Sequence, residues 1–213
     1  MEPRLNLGRL SILVERCTPP IPAPRRDLEQ YTTPGEIAAV IAWDALLRGY
    51  LDSSSRILDL GSGTGRLSLA LLYVGAGLVV GIDADPRLLR ISSKALSTAG
   101  FNGRYQPVHY YVSRRAGLPV EKGSIDIIVS NPPFGVWKRG ADTVFLRAGF
   151  ELEPRVFYAI LKAGNLDYHT RIAGEHGYRV RLLGRHVFPI PASMMHHRSR
   201  IRRVDVDVVA FER

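Results

Sequence analysis

Four consecutive residues, Asn131-Pro132-Pro133-Phe134, combine an amide, a stiffened backbone and a flat aromatic face directly behind the apolar run 125–130. They include no acid, base or nucleophile of the usual kinds, but they suit an amino group. The Asn131 side-chain oxygen and the Pro132 carbonyl can accept the two N–H groups of an exocyclic amine. That favours a more tetrahedral nitrogen, with its lone pair aimed at an electrophile. Proline fixes the backbone and offers only a carbonyl, and Phe134 offers a face on which a base removed from its stack can lie. Chemistry of this kind depends on positioning and electrostatics more than on proton transfer. The plainer reading is a proline turn with a core phenylalanine.

A second set points to the electrophile. Asp59-Leu60-Gly61-Ser62-Gly63-Thr64-Gly65 follows the strand-like run RILDL and precedes an apolar helical run. Glycines there allow a tight turn and close approach of backbone to ligand, and the opening helix brings unpaired amides. Asp83 closes the next strand 22 residues after Gly61, where its carboxylate can accept ribose hydroxyls. The spacing is G-x-G-x-G behind an aspartate, whereas a dinucleotide fingerprint is G-x-G-x-x-G. Asp59 would repel a pyrophosphate and suits the cationic amino acid end of S-adenosylmethionine. Ala84 belongs to the same loop; Asp85 reads more simply as a helix cap. The sulfonium of such a cofactor is already activated, which fits the absence of acid–base equipment at 131–134.

The elements that must position these sets follow from periodicity. Residues 1–33 read as an irregular, proline-rich leader that wraps the remainder, a single domain over 34–213. Thr33 is expected to cap a helix, with Pro34 at its first position and Glu36 completing a capping box. Strands are expected at 56–60, 78–83, 105–112, 125–130 and 156–162, separated by helices after the glycine turn, after Asp85, at 142–152 and near 167–176. YRVRLLGRHVF and RRVDVDVVAF, joined through FPIPASMMHHRSR, read as an antiparallel pair. The fold class is therefore α/β: a Rossmann-like seven-stranded mixed sheet with helices on both faces and a terminal antiparallel hairpin. In such a sheet ligands bind beyond the carboxyl ends of the strands, so both sets face one crevice.

Composition narrows the partners. The 213 residues carry 29 basic and 20 acidic side chains, a formal charge of +9, and all but four of the basic residues are arginines. Planar guanidinium groups and a positive field favour a polyanion. The densest basic stretch runs from His196 to Arg203 in the last strand connection. Arg198, Arg200, Arg202 and Arg203, with Lys138 and Arg139 beside the NPPF loop, are candidate phosphate contacts; the alternative is a solvated basic hairpin. Cys17 is the only cysteine, so an intramolecular disulfide is excluded and no thiolate metal cluster can be built. No metal site is expected. No run of 18 apolar residues and no export signal is read, so the expected setting is the cytoplasm, away from membranes.

With those residues in place, the chain resembles the class I amino-methyltransferases. Within them it is similar to the ribosomal RNA adenine-N6 methyltransferases of the methyltransferase-like-five type. The resemblance runs from residue 27 and rests on LEQYTTPGEIAA, DLGSGTGRLSLA, GIDAD, NPPFG, GADTVFL, and FPIPAS with the basic run and VDVDVVAF. It implies that Gln30, Tyr31 and Thr32 approach S-adenosylmethionine from the leader and that residues 131–134 hold the target adenine. It also implies small-subunit ribosomal RNA as substrate and a small zinc-binding activator protein as partner. The expected docking place for that partner is an edge strand at 105–112, with pairing concentrated at 108–112. One departure is Tyr111, which stands where many relatives place an acidic residue for the cofactor's adenine. Release-factor glutamine N5 methylation, DNA adenine-N6 methylation and a non-catalytic RNA-binding module remain as alternatives.

Overall fold

The computed structural model describes residues 5–114, 116–135, 137–191 and 201–213; of the side chains of Pro191, Ile201 and Arg202 nothing is said. Seven strands form one sheet: β1 (Arg56–Leu60), β2 (Leu78–Asp83), β3 (Tyr105–His109), β4 (Ile127–Ser130), β5 (Val156–Lys162), β6 (Arg179–Pro191) and β7 (Ile201–Glu212). Their order is β3-β2-β1-β4-β5-β7-β6. The first five are mutually parallel, while β7 runs antiparallel to both β5 and β6. The expected Rossmann-like mixed sheet with its terminal hairpin is therefore present.

Alternation along the strands explains why both faces are covered. In β5, Val156, Tyr158 and Ile160 enter one apolar cluster and Phe157, Ala159 and Leu161 the other. The first cluster is closed by helices α1 (Leu7–Cys17), α2 (Gly35–Leu47), α3 (Arg66–Tyr73) and α4 (Pro86–Thr98); the second by α5 (Ala141–Phe150) and α6 (Leu166–Glu175). Continuous apolar runs such as 156–161 are what a strand buried on both faces requires.

Three expectations are corrected. The leader is not irregular throughout: α1 is a helix whose Leu10 and Val14 are buried in the first cluster. The helix α2 lacks a side-chain cap from Thr33 and has no capping box. It begins at Gly35 after Pro34, and the Gly35 N–H donates to the Glu15 carboxylate of α1 at 2.6 Å. A residue distant in sequence thus does the work assigned to Thr33. Finally, β3 has five residues and ends at His109; it is an edge strand, as expected, but Tyr110 and Val112 fold inward against the second cluster. By contrast, Asp85 caps α4 as read, accepting from the Arg87 N–H at 3.0 Å with Pro86 in the first turn.

Candidate active site

Beyond the carboxyl ends of β1, β2 and β4 lies a crevice of about 330 Å³, a size ordinary for a small-molecule site. Gly61, Gly63, Asp83 and Ala84 line it from one side, Asn131 and Pro133 from another, and Gln30, Tyr31 and Thr32 close it from the leader. Lys138 and Arg139 stand at its rim, both exposed. Asp83 is fixed there by two backbone donors: Gly63 N–H to Oδ2 and Asp85 N–H to Oδ1, each at 2.8 Å. Gly63 has φ +54°, and Asp83 fixes the turn through this residue. Burial pushes the Asp83 carboxyl above its usual range, opposed by those N–H groups.

The leader wall is held by polar contacts that span the chain. The Gln30 amide accepts from Arg25 N–H at 2.8 Å and donates to Asp85 at 3.0 Å. The Thr32 hydroxyl accepts from Ile21 N–H at 2.9 Å. Hydrogen bonds from the Arg87 side chain, joined by that from Gln30, hold the Asp85 carboxyl well below the ordinary carboxylate range. Arg66, the first residue of α3, is buried. Its guanidinium donates to the Thr33 carbonyl at 2.9 Å and the Thr18 carbonyl at 3.3 Å, and pairs with Glu15 at 2.8 Å.

Asn131 is oriented by the same wall. Its Nδ2 donates to the Thr33 hydroxyl at 3.0 Å, and its Oδ1 is buried without a partner. A buried acceptor left unmade is costly unless a ligand or an ordered water meets it. With the amide turned this way, the oxygen is the atom left without a partner on a residue that lines the crevice.

Comparison with known proteins gives the family. Residues 57–149 match a family described as a methyltransferase domain. The chain is 31% identical over 198 residues to an rRNA N(6)-adenosine-methyltransferase, Mettl5, of Drosophila melanogaster, covering 89% of this chain and 88% of that one. It is 28% identical to an uncharacterised protein of Methanocaldococcus jannaschii, covering 89% and 86%. A crystal structure of a candidate RNA methyltransferase from Pyrococcus horikoshii superposes with a TM-score of 0.86 at 28% identity, covering 99% of both chains. The chain belongs to the S-adenosylmethionine-dependent methyltransferases related to Mettl5.

The residues present fit the cofactor of this methyltransferase family. Asp83 lies at the crevice with its carboxylate held, Gly61 and Gly63 present backbone without side chains, and Tyr111 lines the same space while remaining 56% exposed. Among the described residues no cluster of His, Cys, Asp or Glu could hold a metal ion.

Among the candidate cofactor and catalytic residues, Asp59, Gly65, Pro132 and Phe134 do not line the crevice. Asp59 is fully buried. Alternation puts it on the same face of β1 as Ile57, under α3, where Ser68 donates to Oδ2 through its N–H at 3.0 Å and its hydroxyl at 2.6 Å. Asp59 Oδ2 thus ties strand to helix, while its Oδ1 is buried without a partner. Gly65 serves packing: a Cβ there would stand 2.8 Å from Leu96 of α4, and its φ is +86°. Pro132 is buried. Phe134 is 6% exposed, stacked on Tyr31 with centroids 5.4 Å apart and edge-on to Phe188 at 5.3 Å. The face expected to be open for a base is covered by Tyr31.

Of the basic candidates, Arg203 is exposed on β7 and Arg202 lies on the same strand, opposite Ile190. Arg198 and Arg200 fall outside the described residues. The sequence reading missed Thr33 as an orienting group, Arg66 as the anchor of the leader, and Glu29, which also lines the crevice. Arg66 gave no signal, because arginine after a helix start is ordinarily solvated. Glu29 sat in plain view beside Gln30.

Proposed function

We propose that this methyltransferase places a methyl group on adenine N6 in RNA, with small-subunit ribosomal RNA as substrate, in the cytoplasm. The observation that carries the proposal is the buried, unpartnered Oδ1 of Asn131, set against the crevice with its amide orientation fixed by Thr33. S-adenosylmethionine, when bound, supplies an electrophilic methyl on a sulfonium. Asp83 would hold its ribose, and Gln30 to Thr32 together with the 61–63 turn would enclose it. Asn131 Oδ1 and the Pro132 carbonyl would accept the two amino N–H groups of the target, directing the nitrogen lone pair toward the methyl. Pro133 holds the backbone between these acceptors and the aromatic pair Phe134–Tyr31, which would support the base through the outer ring.

A glutamine side-chain amide offers the same N–H pair, so a release factor is the competing substrate. The exposed Lys138 and Arg139 at the rim favour a phosphate-bearing acceptor, and the relatives named above as RNA-modifying span nearly the whole chain. The test is methyl transfer from labelled cofactor to small ribosomal subunits, naked ribosomal RNA, DNA and release factor, followed by digestion and mass spectrometry. N6-methyladenosine from RNA is the expected product. Label confined to glutamine or to DNA would overturn the proposal.

A small zinc-binding activator protein is proposed to pair with edge strand β3. Gln106, Pro107 and His109 are exposed there, and Pro107 removes one donor from the free edge. Co-purification from native cells with hydrogen exchange at 105–109 checks this; unaltered exchange with any co-purifying protein removes the partner from this edge.

A further inference from the structure

One group in the crevice has no part in the reading above. Glu29 is 6% exposed, and its backbone sits in the left-handed region at φ +47°. It ends the helical turn Arg26–Leu28 in that conformation, its N–H donating to the Arg26 carbonyl, and so turns the chain into the leader wall. Its Oε1 accepts from the Trp137 N–H at 2.8 Å and the Lys138 N–H at 3.4 Å, so the leader is latched to the loop that follows Asn131–Phe134. Its Oε2 is buried and has no partner. Two residues that line the crevice thus each carry a buried acceptor without a partner: Asn131 its amide oxygen, and Glu29 a carboxylate oxygen whose mate is fixed on the loop that carries Lys138 and Arg139.

We propose that Glu29 Oε2 accepts the 2′-hydroxyl of the target nucleoside, making Glu29 the residue that distinguishes ribose from deoxyribose at the acceptor site. The inference rests on the adenine-in-RNA reading and names which part of the nucleotide this second acceptor takes. The amino N–H groups of adenine are taken by Asn131 and Pro132. A phosphate is excluded, because a carboxylate repels it while the neighbouring Lys138 and Arg139 attract it. Within an RNA strand the 3′-oxygen is esterified, so the 2′-hydroxyl is the remaining donor on the sugar. Carboxylates commonly receive ribose hydroxyls in nucleotide sites. Discrimination is strong in this direction, because a ligand lacking the hydroxyl leaves a buried carboxylate oxygen unmade.

The experiment uses the full chain saturated with S-adenosylhomocysteine, so that added nucleoside cannot enter the cofactor's place. Affinities for adenosine and 2′-deoxyadenosine are measured by ligand-observed NMR, for wild type and for Glu29→Gln. The amide keeps an oxygen for Trp137 and Lys138, so the latch survives. Wild type should prefer adenosine by about tenfold or more, and Glu29→Gln should reduce that preference to about threefold or less. Equal binding of the two nucleosides by wild type overturns the inference and leaves adenine recognition standing. Binding of neither nucleoside, together with no methyl transfer to RNA, overturns both. A Glu29→Gln protein with the sugar preference intact but weakened S-adenosylmethionine binding assigns the oxygen to the cofactor's ammonium, and that also overturns it.

Discussion

Thr33→Val isolates the orientation of Asn131 from the presence of Asn131. The substitution keeps the branched shape and the backbone carbonyl that receives Arg66, and removes only the hydroxyl that accepts from Asn131 Nδ2 at 3.0 Å. A neutral hydrogen bond of this kind contributes about 0.5–1.5 kcal/mol net, which converts to a loss of about two- to tenfold in turnover as the amide is freed to rotate. Asn131→Ala removes one of two acceptors on a nitrogen that develops positive charge, and should cost about 100- to 1000-fold by analogy with the loss of one oxyanion-hole donor. The two effects pass through one group, so they should not add: Thr33→Val in the Asn131→Ala background should change turnover by less than about twofold. The assay is labelled methyl transfer to small ribosomal subunits at saturating cofactor. Calorimetry should show S-adenosylmethionine affinity within about threefold of wild type for Asn131→Ala. An equal cost of Thr33→Val with and without Asn131, or wild-type turnover in Asn131→Ala, would refute the role of Thr33 as the group that orients Asn131.

Arg66→Met keeps most of the buried stem and leaves the Thr18 and Thr33 carbonyls without their donor. Two orphaned buried acceptors predict about 2–5 kcal/mol of lost stability. The pair with half-exposed Glu15 adds little. Urea unfolding measures it, and a loss under about 1 kcal/mol would show the leader to be held by apolar contacts alone. Asp59 gives a pH-dependent prediction. Burial pushes its carboxyl up to about 7 against the hydrogen bonds from Ser68. The unfolded chain releases this proton near pH 4 and the folded one does not, so stability falls as pH rises from about 4 to 7, by up to about 4 kcal/mol. Asp59→Asn should abolish that share of the slope and leave cofactor affinity within about threefold; parallel stability curves for the two proteins between pH 4 and 8 would disprove the assignment.

How much of this was legible in the sequence depended on the distance between partners. The strand ends, the glycine turn, Asp83 and the NPPF tetrapeptide were legible because a strand followed at once by a turn fixes where its next residues lie. The tie of Asp59 to Ser68 was only half legible: alternation puts Asp59 on the Ile57 face of β1, but β1 is covered on both faces, so alternation alone names no partner. The same holds for α1, whose Leu10 and Val14 stand one turn apart; the prolines after Thr18 drew the whole leader into one irregular reading. The ties of the leader were not legible. Glu15 reaches Gly35, Arg66 reaches Thr33, and Glu29 reaches Trp137. No local pattern announces such contacts, because each is made only after the sheet has brought its loops together.

Those ties make Thr33 the junction of the site. Its carbonyl is held by Arg66, which opens the helix behind the glycine turn, and its hydroxyl holds the amide of Asn131. The residues before it line the crevice on the side assigned above to the cofactor, and Glu29, four positions earlier, grips the loop beyond Phe134. A displacement of the leader would therefore reach both halves at once: it would open the cofactor wall and release the acceptor that orients the target nitrogen. Transfer within one crevice needs some element that touches cofactor and acceptor together. In this chain the covalent continuity of residues 29–33 supplies it, so a lesion that frees the leader should depress cofactor affinity and turnover in parallel, whereas Thr33→Val should depress turnover alone.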